Sequence, residues 1–364
     1  MGINTDFWVN RRVLVTGHTG FKGAWLCLWL QSLGARVSGF AAGPPTKPSL
    51  YELAGVGAGM CERALDVRDL DAVRAALEQM RPEVVLHLAA QPMVRRSLRE
   101  PAMTYAVNVL GTVNVLEAVR QAGEQVRAVV IVTSDKCYEN PAPGVARSPR
   151  RFLEGDPLGG SDPYASSKAC AELVAAAYRS SFFGAGEGPC LATARAGNVI
   201  GGGDWGEERL VPDIVRAVAA GEPLRVRNPH AVRPWQHVLN PLSGYLLLAE
   251  RLSLDSGAAR CEAACAWNFG PRAADEQSVG RIVERLGVLW VGALRWELDV
   301  GRHPPEAGYL ALDSSAAEER LGWHPAWSLE QALARVVEWH RAQRAGEDMR
   351  RLSLLQLEAY SRAL

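Results

Sequence analysis

The sequence predicts an α/β protein built on a doubly wound parallel sheet, with a smaller α/β substrate-binding domain at the C-terminal end. Two observations lead to this prediction. Short runs of uncharged, β-branched residues alternate with longer helical patterns through residues 12–200, and a glycine-rich turn joins the first strand to the first helix. Uncharged strands that alternate with helices are typical of a parallel sheet covered on both faces. A chain of 364 residues can form one large domain of this kind and a smaller partner.

Strands and helices follow one another in a regular order along the N-terminal part. The predicted strands are rich in valine, leucine and alanine and span residues 12–16, 36–40, 63–66, 83–88, 128–133 and 190–195. The helices predicted between them have apolar residues at helical spacing and span 21–33, 69–80, 101–122 and 164–183. The composition of residues 264–270 predicts one more strand that returns to the sheet. Residues 201–241 show no regular helix or strand pattern. The last part of the chain, about ninety residues, predicts two or three helices.

The charge balance and the cysteines exclude several classes of protein. Forty Lys and Arg residues match forty Asp and Glu residues, so the neutral chain has no bulk attraction for nucleic acid or an anionic membrane. The seven cysteines are scattered and no histidine pair accompanies them, so no metal site is predicted. Residues 1–10 lack the apolar core of a signal peptide. We expect a soluble, cytoplasmic protein.

The turn after the first predicted strand has the composition of a dinucleotide-binding site. Its glycines form a G-x-x-G-x-x-G motif, in which glycine permits a tight turn and a close approach of the backbone to a pyrophosphate at the helix N-terminus. The predicted cofactor contacts in this turn are Gly17, His18, Gly20, Phe21, Lys22 and Gly23. No Asp or Glu occurs between Ala24 and Tyr51 to hold a ribose, so these residues alone do not choose between NAD and NADP.

A candidate catalytic group follows the fifth predicted strand. Tyr164 and Lys168 lie one helical turn apart on one face of a predicted helix, where the neighbouring cation is expected to lower the pKa of the phenol. A phenol of this kind can serve as a general base near neutral pH. Thr133 supplies a hydroxyl at the end of the fifth predicted strand.

These residues and several further segments resemble the extended branch of the short-chain dehydrogenase/reductase superfamily, which acts on nucleotide sugars. The segments are 66–67, 88–91, 108–112, 198–201 and 233–235. The resemblance implies a Rossmann-type fold that binds NAD through the glycine turn and through Asp66, Val67, Ala89, Ala90, Gln91, Asn108, Thr133, Tyr164 and Lys168. It also implies a substrate site, in which Asn198, Arg233 and Arg302 hold the diphosphate. Leu210, Val211 and Arg227 would frame the base.

Asp135 and Lys136 extend the resemblance to the nucleotide-sugar 4,6-dehydratases of this branch. Those enzymes need an acid and a base at this place to remove water between C5 and C6 of the sugar. The Asp-Lys pair resembles the members that act on CDP-glucose, and so do the segments 16–23, 44–46, 156–160, 227–237 and 321–323. No residue pattern distinguishes cytosine from uracil or thymine.

The resemblance implies a role for each catalytic residue. Tyr164 would take the proton of the C4 hydroxyl while hydride passes to NAD, and Thr133 would hydrogen-bond the same oxygen. Lys168 would hold the ribose and favour the ionised phenol, and Asp135 would protonate the departing C6 hydroxyl. Lys136 is either the C5 base, which requires a neutral amine, or an electrostatic stabiliser of the enolate.

The resemblance further implies the division of the chain and its assembly. Residues 1–200, with 236–275 returning, would form the NAD-binding domain. Residues 201–235 and 276–364 would form the nucleotide-sugar-binding domain. The two long helices that begin at Pro101 and Tyr164 would pair across a two-fold axis in a homodimer.

Other functions stay open at this point. They are a 4,6-dehydratase for a dTDP-, GDP- or UDP-linked sugar, a nucleotide-sugar 4-epimerase, and a redox-sensing regulator without catalysis. An epimerase needs no acid and base at C5 and C6, so the pair Asp135-Lys136 disfavours it. A regulator of this kind typically lacks the Tyr or the Lys of the triad, and both are present here.

Overall fold

A seven-stranded parallel sheet forms the centre of the protein. The computed structural model describes residues 2–140, 150–183, 188–254, 262–290, 294–301, 303 and 307–364. The strands of the sheet are β1 (Arg12–Thr16), β2 (Arg36–Ala41), β3 (Cys61–Ala64), β4 (Val84–His87), β5 (Ala128–Val132), β6 (Cys190–Arg195) and β11 (Ala266–Asn268). Their order is β11-β6-β5-β4-β1-β2-β3, so the chain runs outward from β1 in both directions. This order confirms the doubly wound fold and places the ligand crevice at the carboxyl ends of the strands.

Helices cover both faces of the sheet, and three two-stranded sheets lie outside it. The helices are α1 (Thr5–Trp8), α2 (Phe21–Ser32), α3 (Leu50–Leu53), α4 (Leu70–Met80), α5 (Val94–Arg99), α6 (Pro101–Tyr105), α7 (Gly111–Ala122), α8 (Pro163–Ser181), α9 (Leu210–Ala220), α10 (Leu239–Leu252), α11 (Val279–Leu289), α12 (Leu329–Arg344) and α13 (Met349–Ser361). The additional strands are β7 (Val199–Ile200), β8 (Leu224–Val226), β9 (Val232–Pro234), β10 (Gln236–His237), β12 (Glu276–Ser278) and β13 (Trp296–Leu298).

Alternate residues of the central strands bury their side chains on opposite faces. Val13 and Val15 pack into a core with α2 and α10, whereas Leu14 packs into a second core with α4 and α7. Side chains alternate between the two faces of a strand, so strands that are buried on both faces need apolar residues at every position. This explains why β1 and β5 are runs of apolar residues without alternation.

Two predictions about the chain were wrong in detail. Residues 201–241 are not irregular, since they contain α9 and the start of α10. Pro212 stands in the first turn of α9, where the missing N–H removes no helical hydrogen bond. The third strand lies at Cys61–Ala64 rather than at 63–66, because its pairing with β2 begins at Ser38 and Cys61.

The last helices pack on two different cores. Leu333 and Val336 of α12 join a cluster with α9 and α11, as the predicted smaller domain requires. The ring of Tyr360 in α13 instead meets Trp29 of α2 edge to face, with 5.5 Å between ring centroids. The assignment of 276–364 as a whole to the smaller domain stays a prediction, and the packing of α13 does not favour it for the last helix.

The predicted helix 101–122 contains a π-helical turn, Ala106–Leu110, between α6 and α7. Asn108 within this turn is buried and bonds the backbone of Gln91 through both of its side-chain atoms, at 2.8 and 3.1 Å. The same amide donates to the hydroxyl of Ser167 in α8 at 2.8 Å. The π turn therefore ties the loop after β4 to the helix that carries Tyr164.

The N-terminal helix α1 docks on α10 through a buried carboxyl group. Trp8 is fully buried, and its indole N–H donates to Glu250 at 2.6 Å. The backbone N–H of Asn4 donates to the same oxygen at 3.1 Å. Burial outweighs these hydrogen bonds and raises the pKa of Glu250 to about 7, so the neutral carboxyl is the favoured form in the folded protein below that pH.

We expect the contribution of Glu250 to stability to fall as pH rises from about 5 to 8, because its carboxyl must ionise in place. A carboxyl whose pKa is raised on folding contributes stability that is present below its unfolded value and lost as pH rises through its folded value. Glu250→Gln should remove up to about 2 kcal/mol of this pH dependence, as judged by urea unfolding at both ends of the range. Equal pH dependence in the two proteins would contradict the prediction.

Candidate active site

The glycine turn has the backbone shape that a pyrophosphate site requires. Gly17 has a φ of +71°, and a Cβ there would come within 2.7 Å of the Ala89 nitrogen. A Cβ on Gly23 would come within 2.2 Å of the Gly17 oxygen. Gly20 is the N-cap of α2 and leaves the first N–H groups of that helix without a side-chain cap. Glycine at these positions brings β1 close to α2, so the turn fits a pyrophosphate at the helix N-terminus.

The loop after β4 joins the turn. The hydroxyl of Thr16 accepts hydrogen bonds from the backbone N–H groups of Leu88 and Ala89, at 3.2 and 3.1 Å. Ala89 and Ala90 are half-buried beside the turn, as the cofactor role requires. Gln91 is buried and holds Thr104 of α6 at 2.9 Å, so its side chain serves the scaffold of the crevice.

An acidic side chain that the sequence did not reveal lies beside the glycine turn. The ring of His18 lies so close to Gly39 of β2 that a Cβ on Gly39 would come within 2.6 Å of it. The Nε2 atom of His18 is 3.1 Å from a carboxylate oxygen of Glu62, and the Tyr51 hydroxyl donates to the same carboxylate. Glu62 belongs to β3, and the pairing of Gly39 with Glu62 brings it here. Burial lowers the pKa of His18, although Glu62 works against it.

Asp66 and Val67 follow β3 at the same edge of the sheet. Asp66 binds Arg68 with a separation of 2.5 Å between the closest atoms, and this hydrogen-bonded partner lowers the pKa of the carboxyl. Val67 is buried against Gly111 of α7, and its carbonyl accepts a hydrogen bond from Asn114 at 2.9 Å. Both residues lie on the side of the crevice where His18 and Glu62 lie.

Tyr164 and Lys168 come together with the end of β5, as predicted. Asp162 caps α8 by accepting from the backbone N–H of Ala165, and this starts the helix directly before Tyr164. The ammonium of Lys168 donates to the carbonyl of Val132 at 3.1 Å. Burial lowers the pKa of Lys168 to about 8, against the opposing charge of Glu172.

The phenol of Tyr164 does not have the lowered pKa that the sequence predicts. Burial raises the pKa of Tyr164 to about 12, and a hydrogen bond with Ser134 is the largest opposing effect. Lys168 directs its ammonium to a backbone carbonyl and not to the phenol. The ionised form of Tyr164 is therefore stabilised mainly by other groups. The charge of Arg209, which the sequence did not single out, also lowers this pKa.

Thr133 does not direct its hydroxyl to Tyr164. The hydroxyl donates to Glu172 in a short hydrogen bond within a buried network. The other oxygen of Glu172 accepts from Thr193 at 2.7 Å and from Arg195 at 2.8 Å. Successive residues of an extended chain point to opposite sides, so the residue after Thr133 faces the crevice instead. The hydroxyl beside Tyr164 belongs to Ser134, and the assignment of Thr133 to the triad conflicts with this geometry.

Asp135 is placed as a proton donor. Its side chain is buried, one oxygen accepts from the Ser134 hydroxyl at 3.0 Å, and the other has no hydrogen-bond partner among the described residues. Burial raises the pKa of Asp135, and the charges of Lys136, Arg233 and Lys22 only partly oppose this. A Cβ on Gly197 would come within 2.4 Å of Pro234 and 2.9 Å of this oxygen, so glycine is needed for the close approach of the chain to Asp135.

Lys136 is half-buried next to the acid, and its backbone N–H bonds the Ser134 hydroxyl at 3.2 Å. The described contacts leave both of its roles open, as C5 base or as electrostatic stabiliser.

Four of the six residues predicted to bind substrate fall into three groups. Arg233 of β9 is buried, and its charge acts on Asp135. Leu210 and Val211 begin α9, directly after Arg209, whose charge acts on Tyr164. Arg227 directly follows β8, and its charge lowers the pKa of the Asp213 carboxyl in α9, against the larger effect of burial.

Asn198 precedes β7, and its backbone carbonyl accepts a hydrogen bond from the backbone N–H of Gln236 at 3.1 Å, which helps to hold the two-stranded sheet of β7 and β10 together. Arg302 lies outside the described residues, and its role stays a prediction.

Comparisons with known proteins show the family to which the chain belongs. Residues 14–336 match the sequence profile of the family described as GDP-mannose 4,6 dehydratase. CDP-glucose 4,6-dehydratase of Salmonella typhimurium is 48% identical over 99% of both chains, and a dTDP-glucose 4,6-dehydratase of Xanthomonas campestris is 28% identical over 90% of this chain and 92% of its own. The structure of UDP-glucose 4-epimerase from Thermus thermophilus in complex with NAD covers 91% of this chain and 99% of its own, with a TM-score of 0.75 and 25% identity.

Proposed function

Since this chain belongs to the GDP-mannose 4,6 dehydratase family, we propose that it converts CDP-D-glucose to CDP-4-keto-6-deoxy-D-glucose with loss of one water. The observation that carries the proposal is Asp135, a buried carboxyl beside Tyr164 with a raised pKa and with one oxygen that has no hydrogen-bond partner in the part of the chain that the structure describes. An acid kept neutral in this way can protonate a departing hydroxyl. The 48% identity with a CDP-glucose 4,6-dehydratase supports the choice of CDP-glucose.

The glycine turn fits NAD, which would accept a hydride from C4 of the sugar and return it to C6. The turn residues from Gly17 to Gly23 would hold its pyrophosphate, and Ala89 and Ala90 would line the crevice beyond. We include Glu62 as the acidic residue of this site, since β3 brings it to the place where the second strand supplies none.

The residues of the site act on the sugar in successive steps. Tyr164 takes the proton of the C4 hydroxyl, aided by Ser134 and Arg209, which favour its ionised form. The resulting 4-keto group acidifies the C5–H bond, and that proton is lost to a base, for which Lys136 is the candidate unless it stabilises the enolate instead. Asp135 gives its proton to the C6 hydroxyl, which leaves as water. Arg233, and Arg302 by resemblance, would hold the diphosphate.

Mass spectrometry of the products tests this proposal. The protein is incubated with NAD and, separately, with CDP-, dTDP-, GDP- and UDP-glucose. We expect loss of one water from CDP-glucose and no net NADH. Water loss from a different nucleotide sugar would overturn the substrate and keep the mechanism. A product of unchanged mass would favour the 4-epimerase, and net NADH would contradict both.

We also propose a homodimer formed by the faces of α6–α7 and α8 that point away from the sheet. Tyr105, Leu110, Leu173 and Phe182 are exposed apolar side chains on these faces, and Leu173 is 59% exposed. The helical run Pro101–Gln125 is long and apolar enough to cross a membrane, but half of its most apolar stretch is buried inside the protein. A partner subunit would cover the rest. A monomeric mass in light scattering would contradict the dimer.

The place of the product follows from its chemistry. A nucleotide-linked 4-keto-6-deoxy sugar is a precursor of deoxysugars, and we propose that it serves their synthesis in the cytoplasm for a surface polysaccharide such as lipopolysaccharide. Support for this comes from the resemblance alone.

A further inference from the structure

The acid segment, residues 133–138 with Asp135 in it, contacts a buried ion pair. Glu172 of α8 and Arg195 of β6 lie 2.8 Å apart at their closest atoms, and both side chains are buried. The same helix α8 carries Tyr164. The ion pair therefore connects the helix whose tyrosine acts in the oxidation of C4 with the segment whose carboxyl acts in the loss of water.

The ion pair bonds both ends of the acid segment. At its first end, the hydroxyl of Thr133 donates to Glu172. At its last end, Nη1 of Arg195 donates to the hydroxyl of Tyr138 at 2.8 Å, while Nη2 of the same guanidinium donates to Glu172. The Tyr138 hydroxyl in turn donates to Asn268 of β11 at 2.7 Å. Because a guanidinium is planar and rigid, these bonds fix the last end of the segment in direction as well as in distance.

The backbone holds the first end of the acid segment to the sheet. The N–H groups of Thr133 and Asp135 donate to the carbonyls of Ala194 and Ala196, at 3.0 and 3.3 Å. These bonds remain when the Thr133 hydroxyl is removed.

At the last end, the backbone bonds a loop instead. The N–H of Glu139 donates to Pro157, and the carbonyl of Cys137 accepts from Gly159, each at 2.9 Å. The Tyr138 hydroxyl thus links this end to β6 and β11. Its ring also stacks on that of Phe152, with 4.8 Å between the ring centroids. A phenylalanine at position 138 would keep this stack and lose only the link.

A buried ion pair is a weak source of stability, because the cost of taking two charges out of water offsets their attraction. It can instead hold groups in a fixed geometry. Water elimination needs Asp135 within hydrogen-bond distance of the C6 hydroxyl, and an error of 1 Å in such a placement can cost about 10²-fold in rate. Lys136 lies two residues before Tyr138, in the short 3₁₀ turn Asp135–Cys137. A displaced last end would therefore move the groups that act at C5 and C6.

We propose that Arg195 and Tyr138 are positioning residues for the elimination step, and that the Tyr138 hydroxyl holds Asp135 and Lys136 in place relative to the sugar that Tyr164 oxidises. The inference rests on the proposed dehydratase function. Oxidation depends on α8 and on Ser134 at the first end of the acid segment, so it should tolerate the loss of the Tyr138 hydroxyl.

The test compares Tyr138→Phe with Thr193→Val in the full-length protein. Thr193 of β6 donates to the same Glu172 carboxylate at 2.7 Å but lies outside the acid segment, so it is a matched change within one network. Rapid mixing with NAD and CDP-glucose follows the absorbance of the reduced nicotinamide, and mass spectrometry of the released sugar follows the loss of water.

We expect Tyr138→Phe to slow water release by about tenfold, to keep oxidation within about twofold and so to accumulate reduced cofactor. Thr193→Val should keep both rates within about twofold. A purely structural role would slow the two steps alike. The proposal is overturned if water release in Tyr138→Phe slows less than about threefold more than oxidation does, or if Thr193→Val shows the same selective loss.

Hydrogen exchange without ligands separates this inference from the proposed function. The backbone N–H groups of Cys137 and Glu139 are hydrogen-bonded in the folded protein. They should exchange about tenfold faster in Tyr138→Phe than in Thr193→Val, since only the first variant frees the last end of the acid segment. Equal protection in the two variants would overturn the positioning role. Faster exchange in a protein that removes water from none of the sugars would support the link and overturn its part in elimination together with the proposed function.

Discussion

Asp135→Asn is expected to slow the release of water from CDP-glucose by about 10³-fold while the oxidation of C4 still proceeds. Asparagine keeps the size and the hydrogen bond from Ser134, but it has no proton to give to the C6 hydroxyl. General acid catalysis of this kind contributes about 10²–10⁴-fold. Tyr164 is unchanged, so the 4-keto sugar should form and remain on the enzyme together with reduced cofactor.

Rapid mixing followed by absorbance of the reduced nicotinamide measures the first step, and mass spectrometry of the released sugar measures the second. Asp71→Asn serves as the matched control, because Asp71 is exposed in the first turn of α4 and pairs only with Arg74 of the same helix among the described ion pairs, at 3.2 Å. The control should keep normal turnover. A rate of water release in Asp135→Asn within tenfold of the normal rate would remove Asp135 from the role of acid.

Ser134→Ala and Thr133→Val are expected to affect the protein in opposite ways. The Ser134 hydroxyl bonds the phenol of Tyr164 and the carboxyl of Asp135, so its loss should lower kcat by about 10² or more. The Thr133 hydroxyl bonds Glu172 in the buried network. Its loss should leave kcat within a few-fold and lower the free energy of unfolding by about 1–2 kcal/mol, since Glu172 loses a donor.

Steady-state rates and urea unfolding of both variants separate these expectations. Ser134→Ala should unfold nearly as the unaltered protein does. A large loss of kcat in Thr133→Val with normal activity in Ser134→Ala would restore the triad that the sequence predicts.

The contrast between Thr133 and Ser134 shows where a sequence stops being informative. The strand at 128–133 was predicted within one residue, yet β5 ends at Val132. Two hydroxyls follow each other there, and only the direction of the chain after the strand decides which one enters the crevice. That direction depends on Glu172, a residue 39 positions further on. The triad could be narrowed to these two residues from the sequence but not to one of them.

Glu62 and Arg209 were missed for a related reason. A ribose-binding acid is expected at the end of β2, but Glu62 lies on the neighbouring strand β3, where pairing of Gly39 with Glu62 brings it to the turn. Arg209 precedes α9, which lies in a stretch without a clear pattern. By contrast, the glycine turn and the Tyr164-Lys168 pair depend on residues a few positions apart, and such local geometry is visible in a sequence.

The π turn at Ala106–Leu110 sets the rotational phase of the helix that follows it. Thr104 and Thr112 face the end of β4 and the loop after it: the hydroxyl of Thr104 accepts from Gln91 of the loop at 2.9 Å, and that of Thr112 lies 3.3 Å from His87 at the end of the strand. In a regular α-helix, residues eight apart differ by about 80° in direction, whereas one residue absorbed by the π turn reduces this to about 20°. Deleting a single residue here would therefore let the turn become regular α-helix and keep Thr112 close to His87. Converting the turn to regular α-helix without a deletion would instead turn α7 by about 100°, withdraw Thr112 from His87, and rotate Leu110 and its neighbours off the surface where a second subunit would dock.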